Sequence, residues 1–125
     1  MAKRIIFSGS RHWTNPTPIE SRLKTLLAVH PDAVVVHGGA RGLDSMVGSI
    51  ATQLGLAVEI HRADWSKWGR AAGPKRNQLM VDLGADHAFA YPLDGSKGTW
   101  DFVRKAKMAG IPVDVYQQQL TEVIK

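Results

Sequence analysis

The chain has 125 residues, 44% of them apolar and 22% charged, a size and balance that fit one globular domain and exclude a disordered or fibrous chain. It contains no cysteine, which removes disulfides, thiolate metal sites and a cysteine nucleophile together. A formal charge of +5 leaves a surface that attracts anions, phosphates first among them.

Residues 3–8 (KRIIFS) form a short apolar run that ends at a glycine, the pattern of a buried strand. Thr17 and Glu20 have capping-box spacing, Pro18 stands where a first helical residue belongs, and Ile19, Leu23, Leu26 and Leu27 follow at helical spacing, which predicts a helix over 18–29. Residues 33–37 (AVVVH) are β-branched and apolar, stop at Gly38 and Gly39, and predict a second strand. Leu43, Met46, Val47, Ile50 and Leu54 then mark a helix that Gly55 ends. Residues 57–61 (AVEIH) predict a third strand, 62–73 a long loop rich in Trp, Lys, Arg and Gly, and 74–83 a helix. Residues 87–91 (HAFAY) read as the fourth strand, DGSKGT as a loop, 99–109 as a helix closed by Gly110, and 111–116 as the fifth strand. Strands alternating with helices predict an α/β, Rossmann-like three-layer sandwich over 1–116 with a mainly parallel sheet of about five strands. The tail, 117–125, is expected to be a short helix.

No run approaches the roughly 18 apolar residues of a membrane span, and the opening MAKRIIFSGS lacks the features of a signal peptide. No membrane association and a cytoplasmic location are the expectation. His12, His30, His37, His61 and His87 offer no close pair at metal-ligand spacing, so no metal site and no cofactor are expected.

In an open α/β sheet, ligands bind beyond the carboxyl ends of the strands. The first strand delivers Gly9, Ser10, Arg11, His12 and Trp13 to that edge, and the second delivers Gly38, Gly39, Arg41, Gly42 and Asp44. The third delivers a segment from Trp65 to Asn77, and the fourth delivers Asp94, Gly95, Ser96, Lys97, Gly98 and Thr99. Eight of the 16 Lys and Arg residues fall in these loops: Arg11, Arg41, Arg62, Lys67, Arg70, Lys75, Arg76 and Lys97. Glycines let backbone N–H groups approach a ligand, and helices starting near Gly42 and Thr99 add positive dipole ends. Both features favour phosphate. Trp65 and Trp68 either stack on a base or cover the core. His37, at a strand end, reads as a hydrogen-bonded core or turn residue.

The ordered motifs GSR (9–11) with Trp13, HGGARGLD (37–44), ADW (63–65), GRAAGPKRN (69–77), DGSKGT (94–99) and GIPV (110–113) resemble the YspA-like, cpYpsA-related group of the SLOG superfamily. Relatives of that group include the LOG phosphoribohydrolases and the DNA-processing protein DprA. The resemblance implies a Rossmann-like fold and a nucleotide or nucleotide-derivative site. By position, Gly9, Ser10 and Arg11 correspond to the first-strand loop, and Gly38, Gly39, Arg41, Gly42 and Asp44 to the second. Arg76 and Asn77 correspond to the GPxRN pair, and Gly95, Gly98 and Thr99 to the PGGxGT phosphate loop. In the phosphoribohydrolases an acidic residue two positions after the threonine joins an arginine in cleaving an N-glycosidic bond, which makes Asp101 and Arg76 the catalytic candidates. Here the loop reads LDGSKGT, and Asp101 is one methylene shorter than the usual glutamate.

Three functions follow, in order of rank. The first is binding of a nucleotide-derived phosphate ligand, as a sensor or processing domain, with Arg11, Arg41 and Arg76 on phosphate and a tryptophan on base or ribose. The second is hydrolysis of a nucleoside 5′-monophosphate, and the third is single-stranded DNA binding. A homodimer is also compatible with the apolar helix positions.

Overall fold

In a computed structural model, residues 2–117 are described. The tail helix expected after residue 117 lies outside them. The chain begins with β1 (Arg4–Gly9), whose Ile5 and Phe7 point to one face of the sheet while Ile6 points to the other. It continues through α1 (Thr17–Val29), β2 (Val34–His37), α2 (Leu43–Gln53) and β3 (Ala57–Ile60). A four-residue helix, α3 (Trp65–Trp68), and a 3₁₀ turn (Gly69–Ala71) lead into α4 (Ala72–Asp82). The order closes with β4 (His87–Tyr91), α5 (Lys97–Met108) and β5 (Val113–Val115).

All pairings are parallel and the strand order is β3-β2-β1-β4-β5. Ile6 stands beside Val36 on one side and Ala88 on the other, so the centre of the sheet is apolar and branched. Helices α1 and α2 cover one face through Ile19, Leu23, Leu43 and Val47, all fully buried. Helices α4 and α5 cover the other through Met80, Phe102 and Ala106. Each large buried side chain among these contributes about 1.5–3 kcal/mol relative to exposure. The chain therefore forms the expected three-layer α/β sandwich. Among the described residues, no helix is long and apolar enough to cross a membrane.

Three local details depart from the sequence reading. Thr17 is the first helical residue of α1, and no side chain of the expected capping box closes its N-terminus; instead the Thr17 N–H donates to Asn15 Oδ1 at 3.1 Å. Helix α4 begins at Ala72, two residues before Pro74. A proline in the first turn removes only an N–H that has no intrahelical partner, so the helix tolerates it. Much of the expected 62–73 loop is thus helical. By the same logic α5 begins at Lys97, with Gly98 and Thr99 inside its first turn.

Strands β2 and β4 flank β1, and the connections leaving β1 and β4 run to opposite faces of the sheet. The carboxyl ends of β1 and β4 are therefore the switch point at which such sheets open a crevice.

Candidate functional site

Gly9 and Tyr91 are register partners at the ends of β1 and β4. A side chain at Gly9 would collide with Leu43 and with the Tyr91 carbonyl, each under 3.0 Å away. Beyond this pair the Ser10 N–H still donates to the Tyr91 carbonyl, at 3.0 Å. The Ser10 carbonyl then accepts from Trp13 N–H at 3.2 Å and Leu43 N–H at 3.1 Å. These bonds fold the loop after β1 tightly onto the start of α2. Gly42 completes the joint: its φ is +72°, and a Cβ there would stand 2.4 Å from the Arg11 carbonyl. Only glycine fits on both counts.

A cleft of about 520 Å³ opens at the switch point. Of the expected site residues, Gly9, Ser10, Arg11, Asp44, Trp65, Arg76, Asn77, Gly95, Gly98, Thr99 and Asp101 line it. Ser8, His12, Ser96 and Lys97 line it as well. Ser8 lies inside the first predicted strand, where alternation marks it only as an ordinary strand position. Gly38, Gly39 and Arg41 instead line an adjacent groove of about 380 Å³. Gly42 belongs to the joint just described.

Trp13 lines neither depression. It is 2% exposed, its ring meets Tyr91 and Tyr116 edge-on, and its Nε1–H donates to the Asn15 carbonyl at 2.7 Å. Trp65 is half exposed and stands at the cleft mouth, with the Arg11 guanidinium 5.2 Å from its ring centroid. Trp68 lies outside the cleft, flanked by the ammonium groups of Lys67 and Lys75.

The two glycine loops differ in what their N–H groups do. In the HGGARGLD segment, Gly38 N–H and Ala40 N–H both donate to Asp44 Oδ2, at 3.1 and 3.2 Å, and Gly39 N–H donates to His37 Nδ1 at 3.0 Å. These three donors are spent within the protein. In the DGSKGT segment, Gly95 turns with φ +76°, and the Ser96 and Thr99 hydroxyls bond each other at 2.8 Å. Among the described residues, the Gly98 and Thr99 N–H groups meet no backbone carbonyl. They sit at the positive end of α5, facing the cleft.

Arg76 and Asn77 bridge the cleft floor. Arg76 Nη1–H donates to the Gly38 carbonyl at 2.5 Å and Nε–H to Asn77 Oδ1 at 3.0 Å. Asn77 Nδ2 in turn donates to the Gly98 carbonyl at 3.1 Å and to Asp101 Oδ2 at 3.0 Å. Asp101 also accepts from Arg104 at 2.7 Å and Lys105 at 2.9 Å. Burial opposes its ionisation, but the Lys105 and Asn77 hydrogen bonds and the charges of Lys105 and Arg104 prevail. The carboxyl is held below its ordinary range.

Asp44 behaves in the opposite way. Burial pushes it up to about 6 against the Ala40 and Gly38 N–H groups and the charges of Arg76 and Arg11. Its Oδ1 has no partner among the described residues. Burial also lowers His37 to about 4, aided by the positive charges of Arg62, Arg76 and His61. With Nδ1 accepting from Gly39, the neutral ring carries its proton on Nε2, buried beside Gly48. Among the described residues, no group of three or more His, Asp or Glu is arranged to hold a metal ion.

Comparison with known proteins places the chain beside a family and a relative. Residues 3–68 match the YspA, cpYpsA-related SLOG family. The chain is also 44% identical over 117 residues to the "Gene 61 protein" of Mycobacterium phage D29, a match spanning 89% of this chain and 94% of that protein.

Proposed function

The chain belongs to the YspA, cpYpsA-related SLOG family, whose membership suggests nucleotide-related ligand binding in general, and from that premise we propose that the switch-point cleft binds a nucleotide-derived phosphate ligand. One observation carries this reading: the first turn of α5 presents the Gly98 and Thr99 N–H groups to a cleft whose mouth holds Arg11 and Lys97. Neither cation enters an ion pair among the described residues. Free N–H groups at a helix N-terminus beside unpaired cations suit a phosphoryl group. Trp65 at the mouth offers an aromatic face to a base or ribose.

A panel of nucleoside mono- and diphosphates in a thermal-shift assay tests the reading, since a ligand that binds the native state raises its stability by mass action. At least one nucleotide should raise Tm, and the double variant Arg11→Ala, Lys97→Ala should abolish the shift while folding normally. Full affinity in that variant rules out this cleft.

One feature favours a second reading, hydrolysis of an N-glycosidic bond. Asp101 is an ionised carboxylate in the same cleft, linked through Asn77 to Arg76. Such a carboxylate can steer water to the sugar C1′ and stabilise positive charge there as the C1′–N bond breaks, with the water proton passing to the departing base. Release of free base from a nucleoside 5′-monophosphate, lost in Asp101→Asn with binding retained, supports it. Absence of free base with every nucleoside monophosphate excludes it for those substrates.

A further inference from the structure

The groove beside the cleft has chemistry of its own. Four arginines line it, Arg11, Arg41, Arg62 and Arg76, and no carboxylate does. Among the described residues none of the four forms an ion pair, although Arg4, Arg104 and Lys105 elsewhere do. Two acids of neighbouring segments make their hydrogen bonds away from the groove. Asp44 lies buried beneath the loop, turned toward the Gly38 and Ala40 N–H groups. Asp64 caps α3, accepting from the Ser66 hydroxyl at 2.8 Å and the Lys67 N–H at 3.1 Å.

Three of the four guanidiniums, those of Arg11, Arg62 and Arg76, rest on neutral groups. Arg76 is partly buried and anchored on the Gly38 carbonyl, and Arg62 reaches the Gly39 carbonyl at 3.2 Å. Each anchoring bond uses one N–H of a five-donor fork. The Arg11 guanidinium lies against Trp65. Four like charges gathered in one groove repel one another, a cost that a bound anion relieves. Guanidinium forks fixed in place match phosphoryl oxygens at a reduced entropic cost.

The groove is also continuous with the cleft, because Arg11, Ala40, Trp65 and Arg76 line both. From this juxtaposition we infer that the groove is a second phosphoryl subsite for the same ligand, which is therefore a nucleotide with two separated phosphoryl groups. One group sits at the N-terminus of α5 and the other among the four arginines, with the nucleoside between them beside Trp65. This deepens the reading of the cleft and rests on it. The ligand class is a nucleoside bisphosphate or a 5′-phosphorylated dinucleotide. A nucleoside 5′-monophosphate fills only half of the site.

Isothermal titration of the full chain tests this with three probe sets: the four nucleoside 5′-monophosphates, the matching 3′,5′-bisphosphates, and 5′-phosphorylated dinucleotides. A two-phosphate probe should bind about ten- to a hundredfold more tightly than its monophosphate, the range of one charge-assisted hydrogen bond. Arg62→Ala alters an exposed side chain that lines the groove and not the cleft. That variant should bring the two-phosphate probes down to monophosphate affinity and leave the monophosphates unchanged. Equal affinity of all three probe sets for the wild-type chain overturns the inference while leaving the cleft reading intact. Failure of every probe to bind overturns both. Affinity that keeps growing with longer oligonucleotides overturns the small-ligand assignment in favour of single-stranded nucleic acid.

Discussion

Gly98 sits in the first turn of α5 with nothing within 4 Å of where a Cβ would stand. The fold itself does not require glycine there. Gly98→Ala should stabilise the chain by about 0.5–1 kcal/mol through the smaller entropy of the unfolded state. If a phosphoryl group lies against this turn, the same methyl should weaken nucleotide binding. Denaturant unfolding and titration of the one variant should therefore move in opposite directions. Gly9 and Gly42 contrast with it, because protein atoms fill the space their side chains would need.

Asp44 and His37 make a second prediction at this scale. Asp44 is raised to about 6 from 3.8, so between those values the folded chain keeps a proton that the unfolded chain has lost. Stability falls as pH rises through that window. His37 is lowered to about 4 from 6.5, so over that range the unfolded chain holds the extra proton and stability rises with pH. The two slopes, each at most about 1.4 kcal/mol per pH unit, oppose one another and should leave wild-type stability nearly flat between about pH 4 and pH 6. His37→Asn keeps an acceptor for the Gly39 N–H and should unmask a fall with rising pH. Asp44→Asn should unmask a rise. Unfolding free energies across the window check both, and parallel curves for all three proteins would show that neither group titrates as described.

Among the elements, β3 shows how an edge strand is secured. Arg4 on β1 reaches across β2 to make a bidentate pair with Glu59 on β3, at 2.6 and 2.9 Å. The hydrogen bonds from Arg4 and then His61 hold Glu59 down at about 2. The pair is roughly one-third exposed, so solvent screening limits it to about 1 kcal/mol or less. Its contribution is complete above the ordinary carboxyl value of 4.5 and is lost as pH falls toward 2. Glu59→Gln should cost that small amount at neutral pH and flatten acid unfolding below pH 4.5. Hydrogen exchange in β3 reads the local effect.

Element boundaries were legible where the signal was apolar periodicity and less so where it was punctuation. The buried stripes of α1 and α2 follow Ile19, Leu23, Leu43 and Val47 as their spacing predicts. Helices α4 and α5 each begin two residues before the expected start, because Pro74 and Gly98 fall in first turns, where neither breaks a hydrogen bond. The capping box failed for a related reason: Asn15, two residues upstream, captures the Thr17 N–H.

For the whole molecule, alternating strands and helices dictated a parallel sheet with helices on both faces, because parallel neighbours need a crossover and a buried sheet needs covering. Glycine and arginine at strand ends marked the carboxyl edge as the place for a phosphate ligand. Strand order was a tertiary matter, and it made β1 and β4 the switch point. It also divided the marked residues between a cleft and a neighbouring groove. Trp13 went to the core because Tyr91 and Tyr116, distant in sequence, close over it. Gly38 and Gly39 of the HGGARGLD segment spend their N–H groups on Asp44 and His37. The sequence thus determined which residues reach the carboxyl edge of the sheet, since strand ends and turns are local. Only the tertiary structure decided which N–H groups and cations remain unpaired there, because that depends on every partner the fold brings within hydrogen-bond reach.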